Sequence, residues 1–353
     1  MSKLRHAPSR ILITGGAGFI GSNLVHHLLR THDDLQIVNL DAMTYAASPD
    51  HLADLSDPSR HRLVEGDICD RSLVDALFAE GIDTVIHLAA ESHVDRSIAG
   101  PAAFIETNIM GTYTLLEAAR AAWSERQDVR FHHVSTDEVY GDLGPDDPAF
   151  TETTRYLPSS PYSASKASSD HLVRAWAHTY GLPTTVSNCS NNYGPRQHSE
   201  KLIPVVIRSC LTRSSIPVYG RGENVRDWLF VTDHCRAIDH IVRHGQTGAT
   251  YNVGGNEEWA NLALVQRICR TVAAVIEVPA QELLDLITFV TDRPGHDRRY
   301  AIDNTQIQAL GWSPIRTLDD GLLQTVRWYV EHARTEPVMV QSRNTQSTAP
   351  TAP

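Results

Sequence analysis

Basic charge is scarce in this chain: 31 Lys and Arg stand against 42 Asp and Glu, a formal charge of −11. A surface that grips a nucleic acid backbone needs the opposite balance, so no nucleic acid partner is expected. Cysteine pairing is missing as a pattern, because Cys69, Cys189, Cys210, Cys235 and Cys269 lie singly, odd in number and without Cys-x-x-Cys spacing. That usage fits a reducing compartment. Eighteen histidines include the doublets His26-His27 and His132-His133, yet no His-Glu-x-x-His or similar ligand spacing occurs, and no metal is expected. Long apolar runs are missing too. Nothing approaches about 18 residues, and the opening MSKLRHAPSR has no apolar core of signal-peptide length. A cytoplasmic protein with no membrane partner is the expectation.

The 353 residues are 41% hydrophobic and 21% charged, ordinary for a soluble globular chain and enough for one large domain or two smaller ones. From Ile11 short apolar runs alternate with amphipathic stretches: ILIT then Asn23 to Arg30, LQIVNLD then a loop, HRLVEGD then Ser72 to Phe78, DTVIHLAA then Ala102 to Ala122. Such alternation predicts an α/β fold, a Rossmann-type doubly wound parallel sheet with helices on both faces. PTTVSNCS reads as another strand, following a helix from Ser163 to Tyr180. Beyond Asn191 the prolines 195, 204 and 217 and many polar loops break the rhythm. Residues 10–190 are therefore expected to form the main domain and 191–334 a smaller, mainly substrate-binding α/β part. RDWLFVTDHCRAIDHIV and ATYNVGG look like a helix and a strand that return to the first domain near 227–255, so the boundaries should interleave. The polar, proline-bearing end, 335–353, is expected to be disordered.

ILITGGAGFIGSNLVHHLL places Gly16, Gly18 and Gly21 in a Gly-x-Gly-x-x-Gly pattern directly between a strand and a helix. Glycine permits a tight turn and close approach of backbone N–H groups to a pyrophosphate, and the helix start supplies partial positive charge. Asp41 ends the second strand about 20 residues further on, where a carboxylate binds ribose hydroxyls and repels a 2′-phosphate, which favours NAD over NADP. Asp67 ends the third strand; it suits the adenine amine and equally suits an ordinary strand end.

SPYSASKASSDHLVRAWAHTY opens with a helix-start signal at Ser160-Pro161 and sets Tyr162 and Lys166 four apart on one face, with Leu172, Trp176 and Tyr180 as the packed stripe. An ammonium beside a tyrosine stabilises its phenolate for acid–base work. VSTDEVYG, residues 134–141, sets Asp137 beside Glu138 after the apolar run VRFHHVS, where a strand would end and where ligands sit in an open α/β sheet. Taken alone, the stretch reads first as Thr136 or Asp137 capping the next turn with Glu138 solvated.

As a set, GGAGFIGSN, GDICD, HLAAESHVDRSI, HHVSTDEVYGDL, YSASK, NCSNNYGP, EKLIP, YNVGG and DRPGHDRRYAID resemble the extended short-chain dehydrogenase/reductases and, within them, the dTDP-glucose 4,6-dehydratase family. The resemblance runs from about Arg10 to about His332. It implies an NAD-dependent hydro-lyase acting on a nucleotide sugar. Tyr162 would take the hydroxyl proton at sugar carbon 4 while hydride passes to NAD⁺. Glu138 would remove the acidified proton on carbon 5, and Asp137 would protonate the hydroxyl leaving carbon 6, which then receives the hydride. Adjacent strand residues point to opposite faces, so the backbone must turn for both to serve. Two confined carboxylates repel, which raises one pKa and suits an acid at Asp137.

The resemblance further implies that Thr136 binds the carbon 4 hydroxyl. NAD would be held by Gly15, Gly18, Phe19, Ile20 and Gly21, by Asp41, Thr44, Asp67 and Ile68, and by Leu88, Ala89, Ala90 and Thr107, with Tyr162 and Lys166. Ser92 would sit beside sugar and nicotinamide. Nucleotide contacts would come from Asn191, Lys201, Leu202, Pro217, Tyr219 and Arg226, and from Asn261, Arg293 and His296. Arg226 and Arg293 suit forked pairing with the diphosphate. Two stretches depart from the family pattern: His198-Ser199 replaces an aromatic and a proline, and Ala46-Ala47-Ser48 replaces Ala-Gly-Asn. UDP-glucose is therefore an alternative to dTDP-glucose. A nucleotide-sugar 4-epimerase is the rival enzyme and an NAD-binding redox sensor the rival outside catalysis. The family dimerises through helices matching about Ala102 to Ala122 and Ser163 to Tyr180, where Trp123 and Trp176 would pack either at a homodimer face or in the core.

Overall fold

Parallel strands buried on both faces read as continuous apolar runs, and the run beginning at Ile11 behaves that way: Ile11, Leu12 and Ile13 are almost wholly buried. The computed structural model describes residues 6–292 and 297–335. Arg293, His296 and the end from residue 336 lie outside the described residues. The strands are β1 (Arg10–Thr14), β2 (Gln36–Asp41), β3 (His61–Glu65), β4 (Thr84–His87), β5 (Arg130–Thr136) and β6 (Thr184–Cys189). They continue as β7 (Asn191–Tyr193), β8 (Ile216–Tyr219), β9 (Val225–Phe230), β10 (Thr250–Val253), β11 (Glu258–Ala260) and β12 (Ile287–Val290).

The predicted doubly wound sheet is present, in the order β10-β6-β5-β4-β1-β2-β3 with every neighbouring pair parallel. One face is covered by the helices Phe19–Thr31 and Val231–His244, which bury Leu24, Val25, Leu28, Cys235 and Ile238 with Ile11 and Ile13. The other face is covered by the helices Arg71–Phe78, Thr112–Ala122 and Pro161–Tyr180, through Val74, Leu77, Leu115, Leu116 and Val173. Each such side chain contributes roughly 1.5–3 kcal/mol on leaving water. Of the segment near 227–255, the helix and β10 pack with the large sheet, whereas β9 joins β7 and β11 in a separate three-stranded sheet. That sheet, the β8–β12 pair and the helices Leu202–Thr212, Asn261–Ile276 and Leu318–Thr335 share a second core around Ile207, Trp228, Leu264 and Val326.

Two helices position the site. Pro161–Tyr180 starts as its sequence dictates: the Ser160 side chain accepts the Ser163 N–H, Ser163 answers to the Ser160 N–H, and Pro161 occupies the first turn. It stops at Gly181, whose φ of 69° is the left-handed cap glycine tolerates. Leu172 and Trp176 pack on the core as expected, but Tyr180 does not: its ring is half exposed, edge-on to Trp176. The helix expected over Ala102–Ala122 is not uniform, because Ile105–Gly111 forms a π turn between Ala102–Phe104 and Thr112–Ala122. Single π turns concentrate at functional sites. Trp123 faces the core, its indole N–H donating to the Ile82 carbonyl at 2.9 Å.

Candidate active site

The chain leaves β1 toward β2 and β3 on one side and β4 toward β5 and β6 on the other, so a crevice opens where the order reverses. A cavity of about 360 Å³ lies there. Its floor is the glycine turn. Gly15 has a φ of 73°, and a Cβ there would stand 2.8 Å from the Ala89 nitrogen on the β4 side. Gly21 lies so close to the turn that a Cβ would meet the Gly15 carbonyl at 2.1 Å. The helix Phe19–Thr31 therefore begins directly against the turn, with no acidic residue in its first turn to compete for an anion. Asp41 holds this floor in place: one carboxylate oxygen accepts the Ala17 N–H at 2.8 Å, the other the Met43 N–H at 2.9 Å. Asp67 is tied to the Cys69 N–H at 2.8 Å.

All the positions expected to hold NAD border this one cavity: Gly15 and Gly18 to Gly21, Asp41 and Thr44, Asp67 and Ile68, Leu88 to Ala90, Thr107, Tyr162 and Lys166. The glycine turn, the exposed helix start and the Asp41 carboxylate fit the pyrophosphate and ribose of a dinucleotide.

Across the cavity, β5 ends at Thr136, whose hydroxyl accepts the Glu138 N–H at 3.3 Å and starts a 3-10 turn over Asp137–Tyr140. Asp137 and Glu138 both border the cavity but differ in environment. Asp137 is 2% exposed, takes a 3.4 Å hydrogen bond from Thr136 on one oxygen and has no hydrogen-bond partner among the described residues on the other. Burial, then the charges of Glu138 and of Asp227, lift its pKa well above the usual carboxylate range. Glu138 is only half-buried.

Tyr162 and Lys166 border the same cavity one helical turn apart. Burial, with Glu138 next, pushes the Tyr162 phenol up, while a hydrogen bond with Thr136 works the other way. The Lys166 ammonium donates to the Val134 carbonyl at 2.9 Å, fixing the helix against β5. Cys189, on β6 beside them, is buried and its thiol is pushed up to about 12.

Ser92, Asn191 and Lys201 also line the cavity, and the Lys201 ammonium donates to the Ser92 carbonyl at 3.3 Å. Leu202, Pro217, Tyr219, Arg226 and Asn261 are absent from its wall. Arg226 is buried, donates to the carbonyls of Val225 at 2.8 Å and Asp297 at 2.9 Å, and lies 4.2 Å over the Tyr300 ring. The two departures from the family pattern both border the cavity, and Tyr45, next to Ala46, packs edge to face on His198 at 5.5 Å while Arg96 caps the Tyr45 ring at 3.6 Å. Asn108, which sequence reasoning missed, sits in the π turn; its side chain clips both the N–H and the carbonyl of Glu91 and reaches Ser165 at 2.8 Å. Its only advance signal is a lone amide within the helical stretch 102–122.

A dinucleotide turn with a Tyr/Lys pair on a helix bordering the same cavity defines a short-chain dehydrogenase/reductase, and the carboxylates of Asp137 and Glu138 add acid–base groups beside it. The sequence model of the GDP-mannose 4,6 dehydratase family matches residues 12–325. The dTDP-glucose 4,6-dehydratase 1 of Escherichia coli K12 is 54% identical over 340 residues, covering 92% of this chain and 94% of that protein. A solved dTDP-glucose 4,6-dehydratase of Streptomyces venezuelae with NAD and TYD bound superposes with a TM-score of 0.84 at 43% identity, covering 92% of this chain and 98% of that one. A UDP-glucose 4-epimerase of Thermotoga maritima shares the architecture at a TM-score of 0.81 and 27% identity, over 92% of this chain and 99% of that one. The chain belongs to the dTDP-glucose 4,6-dehydratase family.

Proposed function

We propose that the chain converts dTDP-glucose to dTDP-4-keto-6-deoxyglucose and water, with NAD as its resident cofactor. The observation that carries this reading is the Thr136–Glu138 turn, which brings two carboxylates of unlike environment to the cavity that Tyr162 and Lys166 share. When bound, NAD⁺ supplies the hydride acceptor for carbon 4 and, reduced, the hydride donor for carbon 6. Gly15, Gly18 and Gly21 would hold its pyrophosphate and Asp41 its ribose. Tyr162 takes the proton of the carbon 4 hydroxyl, which Thr136 also binds. Glu138, the more open carboxylate, removes the proton from carbon 5. Asp137, kept protonated by burial, donates to the hydroxyl leaving carbon 6. Lys166 holds the tyrosine end of the site in charge and position.

Ser92 is assigned to the sugar and nicotinamide, and the nucleotide wall to Asn191 and Lys201 on the cavity and to Leu202, Pro217, Tyr219, Arg226 and Asn261 in the second lobe, with Arg293 and His296. The corresponding division is a dinucleotide-binding part over 10–190 with returning segments and a substrate part over 191–334. A cytoplasmic homodimer completes the reading. All five cysteines are free. Ile98, Ile105, Met110, Tyr113 and Tyr180, 40–60% exposed on the helices around 94–122 and 161–180, supply the apolar surface for a second copy.

The test incubates the enzyme with dTDP-glucose and, separately, UDP-glucose in deuterated water. Loss of water, a 6-methyl signal, deuterium at carbon 5 and no net NADH are expected with dTDP-glucose. Turnover of UDP-glucose alone replaces the nucleotide; inversion at carbon 4 with unchanged mass makes the enzyme an epimerase.

A further inference from the structure

Lys166, Asp170 and Arg174 follow one another at four-residue intervals on the helix Pro161–Tyr180 and so share one stripe, a turn apart. Lys166 is 4% exposed and Asp170 is wholly buried. A carboxylate removed from water is retained only where partners compensate its lost hydration, and Oδ2 of Asp170 has two. Oδ2 accepts the Tyr156 hydroxyl at 2.7 Å and the Asn188 amide at 3.3 Å. Oδ1 stands 3.2 Å from His133 Nε2 on β5, although that contact lacks the alignment of a hydrogen bond. Arg174 donates to the same Tyr156 oxygen at 2.6 Å. No step of the dehydration uses this carboxylate, yet it lies one turn behind the lysine of the active site.

The other groups around Lys166 carry no compensating charge. His87 on β4 and His133 on β5 are uncharged rings at neutral pH, both lowered by burial, His133 to about 4. Cys189 on β6 is a protonated thiol, and burial works against charge on the Tyr162 phenol as well. Burial pulls Lys166 toward its neutral form, and the charge of Asp170 leads what opposes it. Burial works against ionisation of Asp170 as well, but His133, Lys166 and Arg174 outweigh it and hold the carboxyl below its ordinary range.

We propose that Asp170 is a positioning residue, the buried counter-ion that keeps Lys166 an ammonium against β5 and beside Tyr162. The proposal rests on the dehydratase reading only for the reaction it serves. The chain has three lysines, Lys3, Lys166 and Lys201, so lysine-selective isotope labelling gives a side-chain NMR spectrum simple enough to follow each ammonium. Lys166 is identified by the signal lost in Lys166→Met. In the NAD-loaded enzyme without substrate, Asp170→Asn is expected to lower the titration of Lys166 by about one pH unit or more, and Asp170→Glu to restore most of it. The high-pH limb of single-turnover carbon 4 oxidation should move with it. An unmoved Lys166 titration in a folded Asp170→Asn variant overturns the proposal, as does a rate loss equal at every pH. If that variant does not fold, the wild-type titration decides: a charged Lys166 through neutral pH supports the counter-ion, an uncharged one overturns it. Failure of the dehydratase reading shows separately, as absence of product from the wild-type enzyme.

Discussion

The Thr136 hydroxyl accepts the backbone N–H of Glu138 at 3.3 Å, and this bond turns the chain out of β5. Strand neighbours would point to opposite faces of the sheet; here Asp137 and Glu138 border one cavity. Because one is sealed and the other half-open, they are suited to opposite roles, acid and base. Glu138→Gln should therefore keep carbon 4 oxidation, read as enzyme-bound NADH absorbance on adding dTDP-glucose, while dehydration falls by roughly 10²–10⁴-fold. Dehydration at the wild-type rate would remove Glu138 from the role of base.

Asp137 titrates higher in the folded chain than it would unfolded, through burial first and Glu138 second. The stability linked to such a group is complete below its unfolded pKa and is lost as pH rises through the folded one. At neutral pH the buried acid thus destabilises the fold. Asp137→Asn, which cannot ionise, should raise the melting temperature by roughly 2–4 °C while lowering dehydration, and the gap from wild type should narrow as pH falls toward the carboxylate range. A lower melting temperature at neutral pH would show that the Thr136 contact matters more than the suppressed charge.

The glycine turn, Asp41, the Thr136–Glu138 turn and the Tyr162–Lys166 pair were legible in the sequence because each is local: a few residues beside a strand end or at a helix start determine the geometry. Asn108 was not, since a single π turn is too short to leave a spacing of its own in the sequence. Asp170 escaped for a related reason. In KASSDH it reads as a solvated helix residue, and only the packing of β5 and the Tyr156 loop over that stripe reveals its burial. Placing Arg226 and Asn261 relative to the cavity requires the docking of a whole lobe, which no local pattern encodes.

Gly21 offers a test of the cofactor floor. A Cβ there meets backbone, the Gly15 carbonyl at 2.1 Å and the Gly16 Cα at 2.6 Å, so the turn itself must shift. Gly21→Ala is expected to weaken NAD binding at least about tenfold, roughly the 1.4 kcal/mol of a displaced phosphate contact or two. Gly81→Ala serves as control. Its φ of 88° is unfavourable for alanine, but nothing stands within 4 Å, so a loss of about 1 kcal/mol in stability with unchanged NAD titration is expected. Equal effects of the two substitutions on NAD affinity would mean that general destabilisation, and not the shape of the turn, governs binding.

The exposed apolar surface on the helices around the π turn makes a prediction about assembly. Met110 and Ile105 project about half exposed from a segment whose opposite side carries Asn108 and the buried Thr112, so the turn cannot rotate them inward without breaking the Asn108 clip on Glu91. Such side chains remain in water only at a cost, and burial against a second copy removes it. Sedimentation of the wild-type chain should give a dimer, and Met110→Asp with Ile105→Asp a folded monomer with an unchanged far-ultraviolet spectrum. Because Asn108 also reaches Ser165 on the helix that carries Tyr162 and Lys166, the monomer should retain NAD but lose part of its turnover. A double variant that still sediments as a dimer would place the homodimer face elsewhere on the molecule.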